Sequence, residues 1–314
     1  MSVALAADAG LALLILGLAV WTSIARTAGG AVIGFMAYGL LVALVWVRLA
    51  AVDVALTEAA LGSGLTGFVL LGAAARLPRD APAARPGWGL RLAAGVVSAA
   101  VAAGLAAVVL LLPVSAPTLA PAATANLPAL GLGNPVTGVL IAYRAIDTLL
   151  ESVVLVLALI GLWSLARDGD WGGRPGALRS ADPSPALVLL AQVLPPLGIL
   201  VGIYLFWTGA IAPGGAFQGG TVLAAMWVLT LVTGLTRPPR VGGRGVRLLL
   251  VAGPALFLAI GVAGFWLGGA FLAYPAGYAK PLILAIEAAL TLSIAVALGL
   301  LLAGPPLAQS GPRA

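Results

Sequence analysis

Nine times along this chain, roughly twenty residues pass with almost no charge. The runs cover about 9–25, 30–48, 53–75, 90–112, 136–166, 187–208, 215–236, 246–270 and 280–303. A hydrocarbon slab about 30 Å thick needs about 20 apolar residues of helix at 1.5 Å each. Each run therefore predicts a membrane span, and the fifth is long enough to tilt or to extend beyond the bilayer. Composition leaves no alternative. Only 8% of the 314 residues are charged, and the mean hydropathy is +1.14. A water-soluble domain needs about a quarter of its residues charged to build a polar surface. The expected fold is all-α: a polytopic transmembrane helical bundle of about nine spans.

The distribution of basic residues predicts the orientation. With the N-terminus outside, all of the 16 Lys and Arg except Arg48, Arg144 and Lys280 fall in inside segments. The positive-inside rule then assigns N-out and C-in. The uncharged stretch 113–135 falls outside as a linker. The first twenty residues lack a basic leader and carry Asp8, so they read as the approach to the first span rather than a cleavable signal.

The missing residue types exclude much chemistry. The chain has no Cys and no His. Iron–sulfur, haem and zinc sites of the usual kinds are therefore not expected, nor is a triad or a Cys nucleophile. No P-loop spacing occurs. The net charge of +6 is spread over short loops and forms no basic face for nucleic acid. The expectation is no catalytic residues, no metal and no cofactor. Proton or cation chemistry must use carboxylates, Lys, Arg, hydroxyls, carbonyls and water.

The carboxylates inside the spans are the informative residues. Glu58, Asp147, Glu151 and Glu287 all fall within the hydrocarbon zone, with Asp53 at a span edge. A charge at mid-bilayer costs on the order of 2.5–3.5 kcal/mol, so four facing lipid would cost roughly 10 kcal/mol. They should face the bundle or a wet cavity, protonated or paired. The three basic residues that break the loop rule accompany them. Arg48 precedes Asp53 and Glu58. Arg144 lies three and seven residues before Asp147 and Glu151, on one helical stripe. Lys280 lies seven before Glu287, on another. One intramembrane pair could simply lock two helices together. Four acids with three nearby bases leave carboxylates free to hold a proton or cation. Asp53 could instead serve as an N-cap, and Arg48 could snorkel to the surface.

Two glycine patterns add to this. Gly62, Gly64 and Gly67 follow Glu58, either for close helix packing or as a loosened helix such as a π-bulge. APGGAFQGG at 212–220 separates the sixth and seventh spans. It is either a tight turn with small residues for packing or an unwound segment, with Pro213, Gly214, Gly215 and Phe217, lining an ion entrance. Pro195 and Pro196 predict a kink in the sixth span.

Three blocks carry a family resemblance. DVALTEAALGSGLTGFVLL (53–71) resembles the C-terminal part of the large A subunit of Mrp-type multisubunit sodium/proton antiporters, and the matching small subunit of membrane-bound hydrogenases. NPVTGVLIAYRAIDTLLESVVL (134–155) resembles the region that follows it. IYLFWTGAIAPGGAFQGG (203–220), with AKPLILAIEAAL (279–290), resembles the antiporter B subunit. The resemblance implies a three-span unit at 1–80, a two-span unit at 88–168 and a four-span B-like domain (MnhB-like) at 185–305. The first two together would be similar to the J subunit of complex I. It implies a prokaryotic inner-membrane subunit of a cation/proton antiporter complex. Glu58, Asp147, Glu151, Pro213, Phe217 and Glu287 fall at its ion-path positions. The alternative is a structural or ion-path subunit of a complex I-related or hydrogenase redox pump. The large proton-channel domain that precedes the first block in such antiporters is not found, and without His the usual Lys–Glu–His relay cannot be built. The expected partners are therefore large antiporter-like proton-channel subunits, small C-, E-, F- and G-like subunits and the lipid bilayer. Whether Na+ or H+ is carried stays open.

Overall fold

The computed structural model describes residues 3–77, 87–113, 118–176, 178 and 182–307. Arg79, Arg85, Arg179 and Arg313, which contribute to the orientation argument, lie outside them. Helix α1 (Val3–Ile24) and α2 (Ala28–Arg48) form an antiparallel pair, with Thr27 capping α2 by accepting from the Gly30 amide at 3.1 Å. The third span is composite. Helix α3 (Val52–Thr57) runs into a π-helical segment, Glu58–Leu65, and then into α4 (Thr66–Ala74). The glycines after Glu58 serve both of the roles considered for them. The helix is widened there, and Gly67 packs against Met36 of α2. The Thr66 hydroxyl donates to the Leu61 carbonyl at 2.9 Å, five residues back, as the wider turn requires.

Helix α5 (Trp88–Leu111) is exposed along its whole length. The stretch expected to be a linker contains α6 (Ala120–Leu130), which starts with Pro121 in its first turn and ends on left-handed Gly131. The predicted fifth span is broken. A single turn, α7 (Pro135–Thr137), is capped by Asn134, whose side chain accepts from the Val136 amide at 2.9 Å. A second π-helical segment follows, Gly138–Tyr143. Arg144 then leaves the helix at φ −126°, ψ 37°, before α8 (Ala145–Trp163) begins. The break frees carbonyls that other side chains satisfy. The Thr148 hydroxyl donates to Leu140 at 2.7 Å and the Tyr274 hydroxyl donates to Ile141 at 2.8 Å. Burial pushes the Tyr274 phenol up, so it stays protonated and donating across ordinary pH.

The last four helices are α9 (Pro185–Thr208), α10 (Ala216–Val232), α11 (Arg244–Leu267) and α12 (Ala279–Ala303). α10 packs between α9 and α12, and α11 packs on α12. Two adjacent glycines of α10 make this possible. Gly219 meets the backbone of Gly202 on α9, and Gly220 meets Ile294 and the Thr291 carbonyl on α12. Ser293 of α12 inserts into the ladder of α11, donating to Leu249 at 2.7 Å and accepting from the Gly253 amide at 2.8 Å. Pro195 and Pro196 sit inside α9, which runs unbroken from Pro185 to Thr208. A two-residue antiparallel ladder, β1 (Arg174–Pro175) with β2 (Pro306–Leu307), ties the segment after α8 to the residues after α12.

Eight helices among the described residues are long and apolar enough to cross a membrane. The seventh run of the sequence appears as α10, at 17 residues. The protein is an all-α polytopic bundle. Its main core joins Leu127, Ile141 and Leu149 to Ala216, Phe257, Ile286 and Leu290, with Leu61 and Leu65 packed on it.

Candidate ion-binding cavity

The site forms where α9 and α10 fail to join directly. α9 ends at Thr208, five residues before Pro213, and the chain turns through Gly214 at φ 155° and Gly215 at φ 131°. Only glycine adopts the Gly215 conformation without strain. The bend also presses Gly214 against the Leu205 carbonyl, where a side chain would collide. A chain bent this way leaves amides and carbonyls without helical partners inside the bundle, and each needs one from elsewhere.

Asp53 supplies the first partner. Its Oδ1 accepts from the Gly214 amide at 2.9 Å and from Asn134 Nδ2 at 3.2 Å. Asn134 Nδ2 also donates to the Ala212 carbonyl at 3.1 Å. The Gly133 and Asn134 amides both donate to the Ala210 carbonyl, and the Thr137 hydroxyl donates to the Gly209 carbonyl at 2.6 Å. Gln218 Nε2 donates to Thr57 Oγ1 at 3.0 Å and to the Asp53 carbonyl at 3.4 Å. One carboxylate at the start of α3 thus holds the α9–α10 turn and the entry to the broken fifth span together.

Beneath the turn lies a cavity of about 180 Å³. Thr57, Thr137, Thr148, Gln218, Glu151 and Glu287 bring polar groups to it, beside Gly214, Gly215 and Phe217. Glu287 is 2% exposed, and its Oε2 is buried with no hydrogen-bond partner. A Cβ on Gly215 would sit 3.6 Å from Glu287 Oε1, so the carboxyl group faces the bend. Glu151 is exposed on α8 and marks the outer edge of the cavity. The arrangement offers two carboxyl groups, hydroxyls and an amide within a space large enough for water. Such a set can hold a proton or a small cation.

The residues singled out in the sequence divide accordingly. Glu151, Glu287, Gly214, Gly215 and Phe217 come together at the cavity, and Asp53 and Pro213 belong to the turn above it. Glu58 follows cavity-lining Thr57 but folds back on its own helix, its carboxyl group against Gly62 and near Gly39 of α2. Asp147 is exposed and pairs with Arg144, Nε to Oδ2 at 2.6 Å. Arg144 does not share an uninterrupted helix with the two acids, because the backbone breaks at it. Arg48 does not accompany Asp53 or Glu58. It binds Asp8 of α1 through two hydrogen bonds, at 2.8 and 3.1 Å, because α1 lies alongside the end of α2. Lys280 forms no ion pair with Glu287 among the described residues. Seven residues separate them by about 10 Å along the axis, and Lys280 lies against Gly131 at the end of α6. Asn134, Thr137, Thr148 and Gln218 are site residues that sequence reasoning misses. Thr137, Thr148 and Gln218 lie inside apolar runs, where hydroxyls and amides occur too often to mark a site, and Asn134 falls in the stretch that reads as a linker.

A broken helix pair bending over buried Asp53 and Glu287, in a bundle of apolar helices, defines a polytopic membrane protein. Comparison with known proteins makes this more specific. Residues 13–79 match the family described as MbhD, the D subunit of MBH, and residues 186–305 match the domain related to the MnhB subunit of Na+/H+ antiporter. The Na+/H+ antiporter B subunit of Bacillus subtilis is 38% identical over 82 residues, covering 26% of this chain and 57% of that protein. An uncharacterised protein of Methanocaldococcus jannaschii is 29% identical, over 44% of this chain and 59% of that protein. The chain therefore spans less than two thirds of either curated relative. The structure of the Mrp complex from Dietzia sp. DQ12-45-1b contains a similar chain, with TM-score 0.73 and 26% identity, covering 96% of this chain and 35% of that one. The fold also resembles a chain of the archaeal membrane-bound sulfane sulfur reductase, with TM-score 0.55 and 21% identity, over 68% of this chain and 97% of that one. Together these support an Mrp-type chain that fuses the C-terminal region of an A subunit to a B-like domain.

Proposed function

We propose that this chain is a membrane subunit of a multisubunit sodium/proton antiporter complex of a prokaryotic cell membrane, oriented N-out and C-in. Its Glu287 and Glu151 hold the transported proton or cation within the cavity, and Glu58 and Asp147 extend the path on either side. The units 1–80, 88–168 and 185–305 act together, since all three contribute to the cavity and the turn. No cofactor is needed beyond the carried ion. Transport is vectorial rather than catalytic, and it requires large antiporter-like proton-channel subunits and small C-, E-, F- and G-like subunits. The observation that carries the proposal is Glu287 Oε2, buried and unpartnered beside an open cavity. An unpaired buried carboxylate is too costly to persist as a charge. A proton neutralises it, and a cation entering the cavity can take that proton's place.

The experiment is sodium-driven proton flux in vesicles carrying the whole complex. Glu287→Gln and Glu151→Gln are expected to abolish exchange while the complex still assembles on a native gel. Normal flux in both variants rejects the proposal. Loss of assembly without a separate transport defect assigns the acids to a structural lock instead. A second reading, a subunit of a redox-driven pump, is favoured by the MbhD match over residues 13–79. Co-purification with subunits bearing redox centres decides for it.

A further inference from the structure

Away from the cavity, the opposite end of the bundle carries two features that transport leaves unused. Between α4, the start of α9, α10 and the end of α12 lies an apolar groove of about 490 Å³. Leu65, Phe68, Leu187, Val228, Leu229 and Leu302 line it. Next to it is a smaller cavity of about 200 Å³, lined by Arg174, Arg237, Thr236 and Pro238. The two adjoin on two helices at once. On α10, Leu231 lines the basic cavity and Val232 the groove. On α12, Ala303 lines the first and Leu302 the second. Among the described residues, no acidic side chain lines either one.

The basic cavity is built rather than incidental. Arg174 Nη1 donates to the Pro238 carbonyl at 2.8 Å, fixing the guanidinium over the segment after α10. The β1–β2 ladder and the Val241 and Gly242 amides, bonded to the Gly173 and Gly172 carbonyls, hold the same residues. Arg237 is exposed and forms no ion pair among the described residues. A fixed and a free guanidinium suit a phosphodiester, because Arg forks match its oxygens. The neighbouring apolar groove suits a hydrocarbon chain.

We propose that this composite site binds one anionic phospholipid, its headgroup phosphate between Arg174 and Arg237 and one acyl chain in the groove. Charge complementarity selects the headgroup, and the apolar lining accepts the chain. The lipid would fill the gap that separates α4 from α9, α10 and α12. The inference is independent of whether the cavity near Glu287 carries ions.

The test is native mass spectrometry of the complex purified in mild detergent, after exchange into phosphatidylglycerol or phosphatidylcholine of matched acyl chains. One phosphatidylglycerol per chain is expected to persist, with phosphatidylcholine retained several-fold less. Arg237→Gln should weaken phosphatidylglycerol retention about fivefold. Ala225→Leu, at an exposed groove position, should lower retention of both lipids without affecting assembly. Equal retention of the two lipids, with no effect of Arg237→Gln, overturns the proposal. So does displacement by inorganic phosphate alone with no response to Ala225→Leu. Because the chain has no Cys, Ala225→Cys offers a unique thiol. Efficient crosslinking of that thiol to a neighbouring subunit would show a protein helix in the groove, and would also overturn it.

Discussion

Replacing Asp53 by Ala tests whether this carboxylate holds the turn or carries the ion. The substitution removes the acceptor of the Gly214 amide and one of two acceptors of Asn134 Nδ2. Hydrogen bonds to a charged acceptor contribute about 1.5–3 kcal/mol each, and a buried donor left without a partner costs about 1–3 kcal/mol. Asn134 keeps Ala212, so the main loss is at Gly214, and Asp53→Ala should cost about 3–5 kcal/mol in all. Asp53→Asn keeps an oxygen for Gly214 but loses the charge, which roughly halves the strength of the bond, so about 1–2 kcal/mol is expected. The assay is hydrogen–deuterium exchange across residues 209–215 in the detergent-solubilised complex, alongside tryptophan-fluorescence unfolding. A loss of about 3 kcal/mol corresponds to roughly hundredfold faster exchange in Asp53→Ala. In Asp53→Asn the turn should stay largely protected, with transport reduced but present. Two outcomes refute the reasoning. Unchanged exchange in Asp53→Ala would mean the bend stands without the clamp. Complete loss of transport in Asp53→Asn, with native protection, would make Asp53 an ion carrier.

Other substitutions separate packing from chemistry. Glu287→Gln removes an unpaired buried acid, so stability measured by thermal unfolding should hold or rise even as transport fails. Gly215→Ala places a Cβ at φ 131°, which should cost about 1–3 kcal/mol and disturb the turn, read as a lower unfolding midpoint. Gly62→Ala would drive a Cβ into the Glu58 carboxyl group, so vesicle flux should fall by more than the same change at Gly72, where nothing lies nearby. Arg48→Gln breaks an exposed pair with Asp8 and should leave the unfolding midpoint unchanged.

The membrane class and the positions of the spans are legible because the cost of placing charge in oil is written residue by residue. Glu287 is legible for the same reason, as a lone acid in an apolar run. Contacts between distant residues are not. The Asp53 bonds to Asn134 and Gly214 cross 81 and 161 positions. Nothing in DVALTE states that its first residue meets APGG rather than capping its own helix. Helix α6 reads as a linker because absence of charge suits a loop as well as a short helix lying on the bundle through Leu127. The break at Arg144 escapes notice because Ile, Ala and Tyr before it give no Pro or Gly signal. Nearness in sequence points Arg48 at Asp53 and Glu58, while its partner Asp8 lies forty residues back.

Helix α5 carries a consequence of its own. Its 24 residues rise about 36 Å, and no described residue of it is buried. Arg91 belongs to the inner flank, so the apolar residues 92–111 rise about 30 Å, close to the thickness of the hydrocarbon slab. The other spans inherit their slope from neighbours. This one buries no residue against the rest of the chain, so a bilayer thinner or thicker than its apolar stretch tilts it or strains the lipid around it. Bilayers of different thickness should therefore be felt at α5 before anywhere else in the molecule.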